Sequence, residues 1–261
     1  EGGLETVFSG TLVDVCPTGV FTDKAFSEHY TRKWDLQTAP SVCAGCGTGC
    51  NITPGERYGS LRRIVNRYNS DINGYFICDR GRFGFDYVNS PERITLHSNE
   101  EGDVENELAQ FKSGEVIGIG SPRASNESNF ALKELVGEES FYSGVSDLDH
   151  EALQLTIALA QDSAFRTPSV REIELADAVV VVGEDVTNTS PRIALALRQS
   201  VRNRAIDLAK GARIPAWQDA AVRELAQHDR SPLAILNPYA TRLDDIASEL
   251  VIGSPSELVA V

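Results

Sequence analysis

Residues 42–50 read V-C-A-G-C-G-T-G-C, so three of the chain's five cysteines fall within eight positions, separated by glycines. The fourth, Cys78, follows after 27 intervening residues, giving the pattern C-x2-C-x3-C and then a distant Cys. Four thiolates suffice for a tetrahedral zinc or a cubane iron–sulfur cluster. Zinc sites of this kind are usually built from two C-x2-C pairs, each supplying half of a tetrahedron. Three thiols on one loop with one remote thiol suit a [4Fe–4S] cube better, because each ligand binds a different corner. Glycines between the ligands leave room for a bulky inorganic core and let amide N–H groups approach its sulfides. Arg62, Arg63 and Arg80 would ease its negative charge. A zinc site, or four buried structural cysteines, is the alternative that spacing leaves open. Cys16, in a Cys-Pro pair after an apolar run, is either a small core residue beside a turn or the last ligand of a ferredoxin-type cluster.

The rest of the sequence narrows the setting. An odd cysteine count in 261 residues is not a secreted disulfide framework. A formal net charge of −14 argues against a sequence-independent nucleic-acid binder, which needs a basic face. No run of 18 apolar residues occurs, so no membrane-spanning helix is expected, and the front of the chain does not read as a secretory leader. With no Met present, the first residue is not a translation start, and the chain is expected to be an internal piece of a longer polypeptide.

Thr6–Val15 is short and β-branched and predicts one or two strands. Residues 41–95 are dense in Gly and Arg and predict a small β-rich module, and the acidic residues 95–114 a surface connection leading into a helix. Beyond Glu115 the pattern changes. Apolar strands are predicted at Val116–Gly120, Asp177–Gly183, Ala234–Asn237 and Leu250–Gly253. Between them come a helix whose apolar face holds Phe130, Leu132, Leu135 and Val136, another over Glu151–Ala160, and a long one over Arg192–Leu208. Apolar strands alternating with helices indicate a parallel sheet covered on both faces. The fold class expected is α/β: a small β-rich iron–sulfur module followed by a mainly parallel α/β domain.

Other candidates have plainer explanations. The loop V-G-E-D-V-T-N-T at 182–189 lies where an open α/β sheet would hold a nucleotide-like ligand, but it lacks G-x-G-x-x-G, and Glu184 and Asp185 would repel phosphate. Capping by Thr187, Asn188, Thr189 or Ser190, with Pro191 opening a helix, accounts for it. Gly118-x-Gly120 reads as a strand end. His29, His97, His150 and His228 are scattered in polar settings and predicted at the surface. His150, among Asp147, Asp149 and Glu151, is the one that a stray cation could visit. R-Q-S-V-R-N-R at 198–204 is a solvated or subunit-facing helix side.

The stretch from Cys43 through C-D-R-G-R-F-G-F-D-Y-V-N-S-P-E-R-I, with the later G-S-P-R-A-S-N-E-S-N-F, resembles the cluster-binding entry module of the molybdopterin oxidoreductase superfamily. V-D-V-C-P-T-G-V-F-T-D-K, R-K-W-D, P-G-E-R-Y-G, V-I-G-I-G-S-P-R-A-S and T-R-L-D-D-I-A are similar to the large G-subunit family of bacterial NADH:quinone oxidoreductase, respiratory complex I. The resemblance runs nearly the whole chain. It implies that Cys43, Cys46, Cys50 and Cys78 hold a [4Fe–4S] cluster lying off the main electron path. It also implies that Cys16 is the fourth ligand of a second [4Fe–4S] cluster whose other ligands lie upstream of residue 1. The implied organisation is 1–38 as the tail of a ferredoxin-like region, 39–95 as the four-cysteine module, and 96–261 as an incomplete α/β domain of molybdopterin-oxidoreductase type. Catalytic relatives place a metal-ligating Cys, selenocysteine or Ser after the S-x-R-x-x-N-E segment. Here Cys78 is the last cysteine, and F-Y-S-G-V-S-D-L-D-H-E offers only Ser143 and Ser146. Arg80 also stands where those enzymes often carry a lysine. No molybdopterin and no catalytic residue are therefore expected, with a formate dehydrogenase-like enzyme and a zinc-stabilised interaction module as the alternatives. The implied partners are other peripheral-arm subunits, on the cytoplasmic side of the inner membrane, without nucleic acid or direct membrane insertion.

Overall fold

The protein is described by a computed structural model covering residues 6–28, 31–93 and 116–258. The chain divides into two compact units, Glu1–Pro91 with Pro168–Val261, and Glu92–Thr167. The predicted acidic connection at 95–114, and His29 and His97, lie outside the described residues.

In the first unit a four-stranded antiparallel sheet dominates residues 37–66. Strands β1 (Gln37–Thr38) and β2 (Ser41–Val42) both pair with one side of β3 (Asn51–Arg57), and β4 (Ser60–Asn66) pairs with the other. The β3–β4 turn is tight, with Tyr58 and Gly59 both at positive φ (56° and 78°), which suits the twist of a two-residue hairpin. Ile52 and Ile64 on this sheet pack with Ile77, Phe85 and Cys50 into one small core. Helices α1 (Thr11–Val15) and α2 (Lys24–Glu28) precede the sheet, while α3 (Asp79–Phe83) and α4 (Asp86–Asn89) follow it.

The predicted strands at 6–15 are not formed. Residues 11–15 are helical instead, with the Cys16 amide closing the turn onto Leu12 O at 3.1 Å. β-branched residues favour strands only where a neighbouring strand offers ladder partners and packing. Here the preceding turn is captured by Asp79, whose carboxylate accepts the Ser9 and Gly10 amides at 2.9 and 2.8 Å.

The second part of this unit is a three-stranded parallel sheet, β7 (Val179–Val182), β8 (Leu233–Asn237) and β9 (Glu249–Ile252), adjacent in that order. Val181, Leu233 and Ile235 point into a core with Ala194, Leu197, Val201 and Leu243. On the opposite face Val180 and Val182 are exposed among the described residues, and Leu250 and Ile252, exposed on the edge strand, are in register with Ile235 and Asn237 on the core side. The parallel pairing was legible in the sequence; among the described residues the second face is only partly covered, with Ala234, Leu236 and Val251 half-buried there. The long predicted helix is two, α9 (Pro191–Ser200) and α10 (Asn203–Gly211), broken at Val201 and Arg202; Val201 packs into the core and its carbonyl accepts Ser231 N instead of continuing a helical ladder. Helices α7 (Val170–Glu174), α8 (Val186–Thr189), α11 (Asp219–Ala226) and α12 (Pro255–Leu258) complete this part, α7 opening with a capping box in which Ser169 and Glu172 serve each other's backbone amides.

In the unit Glu92–Thr167, β5 (Gly118–Ile119) and β6 (Phe141–Tyr142) pair in parallel across α5 (Asn126–Val136). Val136 is buried against Gly118, and Leu132 touches the same glycine, whereas Phe130 and Leu135 stay exposed, so only half of the predicted apolar face is covered. Helix α6 (Asp147–Gln161) has no buried residue. His150 on it is exposed, 3.5 Å from Gln154, and no three His, Cys, Asp or Glu side chains among the described residues are grouped to hold a single metal ion.

Candidate iron–sulfur site

Strand pairing makes the cysteine loop. Val42 opposes Asn51 in the β2–β3 ladder, so residues 43–50 form the loop of a hairpin, closed at its base by Cys43 N donating to Cys50 O at 2.8 Å. Gly49 turns the chain back at φ 65°, a conformation that favours glycine. Cys50 is buried in the small core, Cys43 is half-buried at the loop's base and packs against that core, and Cys46 is half-buried within the loop. Within the loop, Gly45 N–H donates to the Cys43 sulfur at 3.4 Å, and Cys46 Sγ lies 3.5 Å from Thr48 Oγ1.

Cys78 arrives from the other side of the module. It sits at the N-cap of α3, held by buried Ile77 before it and by Asp79 after it, and Gly81 N–H donates to its sulfur. Gly81 shows that the two ligand sources converge. A methyl group built on its Cα would lie 3.1 Å from Cys43 Sγ and 3.9 Å from Cys78 Sγ, which puts those sulfurs within about 7 Å of each other. Glycine here keeps open the space between a loop ligand and the remote ligand.

The electrostatics tie in the remaining thiols. Burial, and then the neighbouring Cys43, Cys46 and Cys78, push the Cys50 thiol up to about 12, with Arg192 acting in the opposite direction. Cys78 is raised first by burial and then by Cys46 and Cys43, opposed by the Gly81 N–H and by Arg80. Cys50 and Cys78, both raised by burial and by the neighbouring thiols, form a site whose ionised state needs cationic compensation, which the iron of a cluster would supply. The residues fit a cluster: four sulfurs, amide N–H groups aimed at two of them, and a glycine-lined gap. A compact zinc tetrahedron, whose sulfurs lie about 3.8 Å apart for Zn–S bonds of about 2.3 Å, is not preformed among the described residues.

Of the arginines expected near the site, Arg80 is there, with its Nη2 also donating to Asn188 O at 2.7 Å. Arg63 is instead bound to Asp14 at 3.1 Å, and Arg62 donates to Arg57 O. Cys16 stands apart at the end of α1. Its thiol is lowered to about 6, chiefly by the Phe21 N–H, then by the Thr18 hydroxyl and amide. The 182–189 loop is capped by Asp185, which accepts Thr187 N at 3.2 Å, and not by the hydroxyl or amide residues anticipated; Pro191 does open α9. The arginines of 198–204 are paired within the chain: Arg198 with Asp245, Arg202 with Asp219 and Arg204 with Asp229.

Sequence reasoning missed Arg192 and Asn73. Arg192 is buried, donates Nε to Asn73 O at 3.1 Å, and pairs through Nη2 with Glu174. Fully buried Asn73 accepts Asn51 N at 2.9 Å and so braces the residue after Cys50. A signal was present: Arg192 shares a helix face with Ala196 and Ser200, both buried, which is an unusual place for a charge.

Residues 36–90 match the family described as Molybdopterin oxidoreductase Fe4S4 domain, so the four cysteines all lie within a recognised iron–sulfur module. The chain as a whole is homologous to a segment of the G subunit of NADH-quinone oxidoreductase. It is 50% identical to that of Pseudomonas fluorescens over 270 aligned residues, covering 100% of this chain and 30% of the relative. It is 52% identical to that of Escherichia coli (strain K12) over 260 residues, and 51% to that of Yersinia pestis over 261, each covering 95% of this chain and 28% of the relative. The chain thus spans less than a third of the length of the curated relatives it matches.

Proposed function

We propose that this chain is an electron-transfer and scaffold segment of the G subunit of an NADH:quinone oxidoreductase, with Cys43, Cys46, Cys50 and Cys78 holding one [4Fe–4S] cluster. The observation that carries this is the convergence of Cys43 and Cys78 on Gly81 inside the residues that match an Fe4S4 domain. When bound, such a cluster supplies one-electron transfer. The chain's residues supply the rest. Gly45 and Gly81 donate to ligand sulfurs, Arg80 and Arg192 bring positive charge, and the apolar core around Cys50 limits water on the inner side.

Cys16 is assigned to a second [4Fe–4S] cluster whose other ligands precede residue 1; the N–H groups around its sulfur support that role. The segments 1–38, 39–95 and 96–261 are the tail of a ferredoxin-like region, the four-cysteine module and a scaffold related to the molybdopterin-binding α/β fold. The partners are other subunits of the enzyme's peripheral arm, on the cytoplasmic side of a membrane. No helix among the described residues is long and apolar enough to cross that membrane. That F-Y-S-G-V-S-D-L-D-H-E, where catalytic relatives place a metal ligand, offers Ser143 and Ser146 but no thiol favours the scaffold role over a molybdopterin enzyme.

The test is iron and acid-labile sulfide content after anaerobic purification of the full-length polypeptide. Changing Cys78→Ser should remove about four of each. Unchanged content in that variant, or molybdenum at one per chain in the parent, would defeat the proposal.

A further inference from the structure

The described part of the cysteine module touches the α/β part of its own unit at a few polar points, and one of them is unusual. Arg171 N donates to Asp71 O at 3.1 Å and Arg80 to Asn188 O, both ordinary surface contacts. Arg192 differs. Its side chain is 4% exposed, its Nη1 is buried with no hydrogen-bond partner, and it reaches across 119 positions to Asn73. Asn73 in turn holds both the N–H and the carbonyl of Asn51, next to Cys50. Glu174 pairs with Arg192 on one carboxylate oxygen and with Arg171 on the other, at 2.7 Å. The trio carries a net charge of +1, with Arg171 half-exposed and Arg192 buried toward the cysteine module.

Packing alone does not explain a buried cation here. A buried ion pair is often matched or bettered by apolar residues of similar volume, so stability alone does not account for this one. An unpartnered donor in a buried place adds a cost of about 1–3 kcal/mol.

We propose that Arg192, oriented by Asn73 and Glu174, is a positioning residue that sets the reduction potential of the four-cysteine site by placing a fixed positive charge on its inner side. The inference rests on the cluster assignment above. Reduction adds one electron to the site, so a nearby positive charge favours the reduced state and a nearby negative charge opposes it. Glu174 therefore acts against Arg192, and the two should tune the site in opposite directions.

The experiment is a dithionite titration, followed by low-temperature EPR, of the full-length polypeptide isolated anaerobically with its partner subunits. The signal titrated is the one lost in Cys50→Ser. At a fixed ambient potential, Arg192→Gln should lower the reduced-to-oxidised ratio three- to tenfold, where tenfold corresponds to about 59 mV for one electron. Glu174→Gln should raise it, and Arg192→Lys should stay within about twofold of the parent. A residue that merely holds the module in place would move neither ratio, or both in the same direction. Shifts of the same sign, or none, with iron and sulfide unchanged, overturn the inference. If Arg192→Gln fails to retain iron, Glu174→Gln and Arg192→Lys decide: a rise in the first with little change in the second supports the role, and any other result overturns it. A parent protein lacking both iron and the Cys50-dependent signal would sink the cluster assignment itself, which is a separate outcome.

Discussion

Asp79 ties the first described segment to the cysteine module, and its removal makes a quantitative prediction. Its carboxylate accepts Ser9 N at 2.9 Å, Gly10 N at 2.8 Å and the Ser9 hydroxyl, while its own amide donates to Val7 O at 2.6 Å. The backbone contact survives Asp79→Ala, whereas the three side-chain contacts do not. Hydrogen bonds to a charged group contribute about 1.5–3 kcal/mol each, but this site is part-exposed and water replaces some of them, so the local loss is about 2–4 kcal/mol. At about 1.4 kcal/mol per decade, the Ser9 and Gly10 amides should exchange with solvent roughly 30- to 1,000-fold faster. Asp79→Asn keeps one carbonyl oxygen and should fall between the two. The assay is native-state hydrogen exchange read by mass spectrometry on a peptide covering residues 6–16. Exchange at Ser9 and Gly10 unchanged by Asp79→Ala would show that the segment is held by something else, and would remove the reason given for helix in place of strand at 11–15.

Two further outcomes are expected. In the cluster-free chain at pH 7, Cys16 is about nine-tenths thiolate at a pKa of about 6, while Cys50 at about 12 is ionised on the order of one part in 10⁵. Lower intrinsic nucleophilicity offsets roughly half of that gap on a logarithmic scale, so iodoacetamide should label Cys16 at least about a hundredfold faster, and labelling of Cys16 should fall below pH 6; equal rates by peptide mapping would refute the assignment. In the unit Glu92–Thr167, Gly144→Ala should be poorly tolerated, because φ is +77° and a Cβ would sit 2.1 Å from Gly120 O; a Tm within a degree of the parent would contradict this.

The chemistry of the site was written into one short stretch, because ligand type and spacing are local properties. C-x2-C-x3-C named the loop, and the apolar runs read at 177–183, 234–237 and 250–253 overlap the three strands formed at 179–182, 233–237 and 249–252, since period and length are carried by neighbours in sequence. The nature of α1 was not legible there. A β-branched run becomes a strand only beside another strand, and Asp79, more than sixty positions away, decides otherwise. Likewise nothing between Cys50 and Cys78 announces that Gly81 brings the loop sulfur and the remote sulfur together, or that Arg192 comes to lie behind Asn51. Residue types and their periods specify which groups are available; which of them share a few cubic ångströms follows from burial of apolar surface, a non-directional force acting between segments that the linear order keeps far apart.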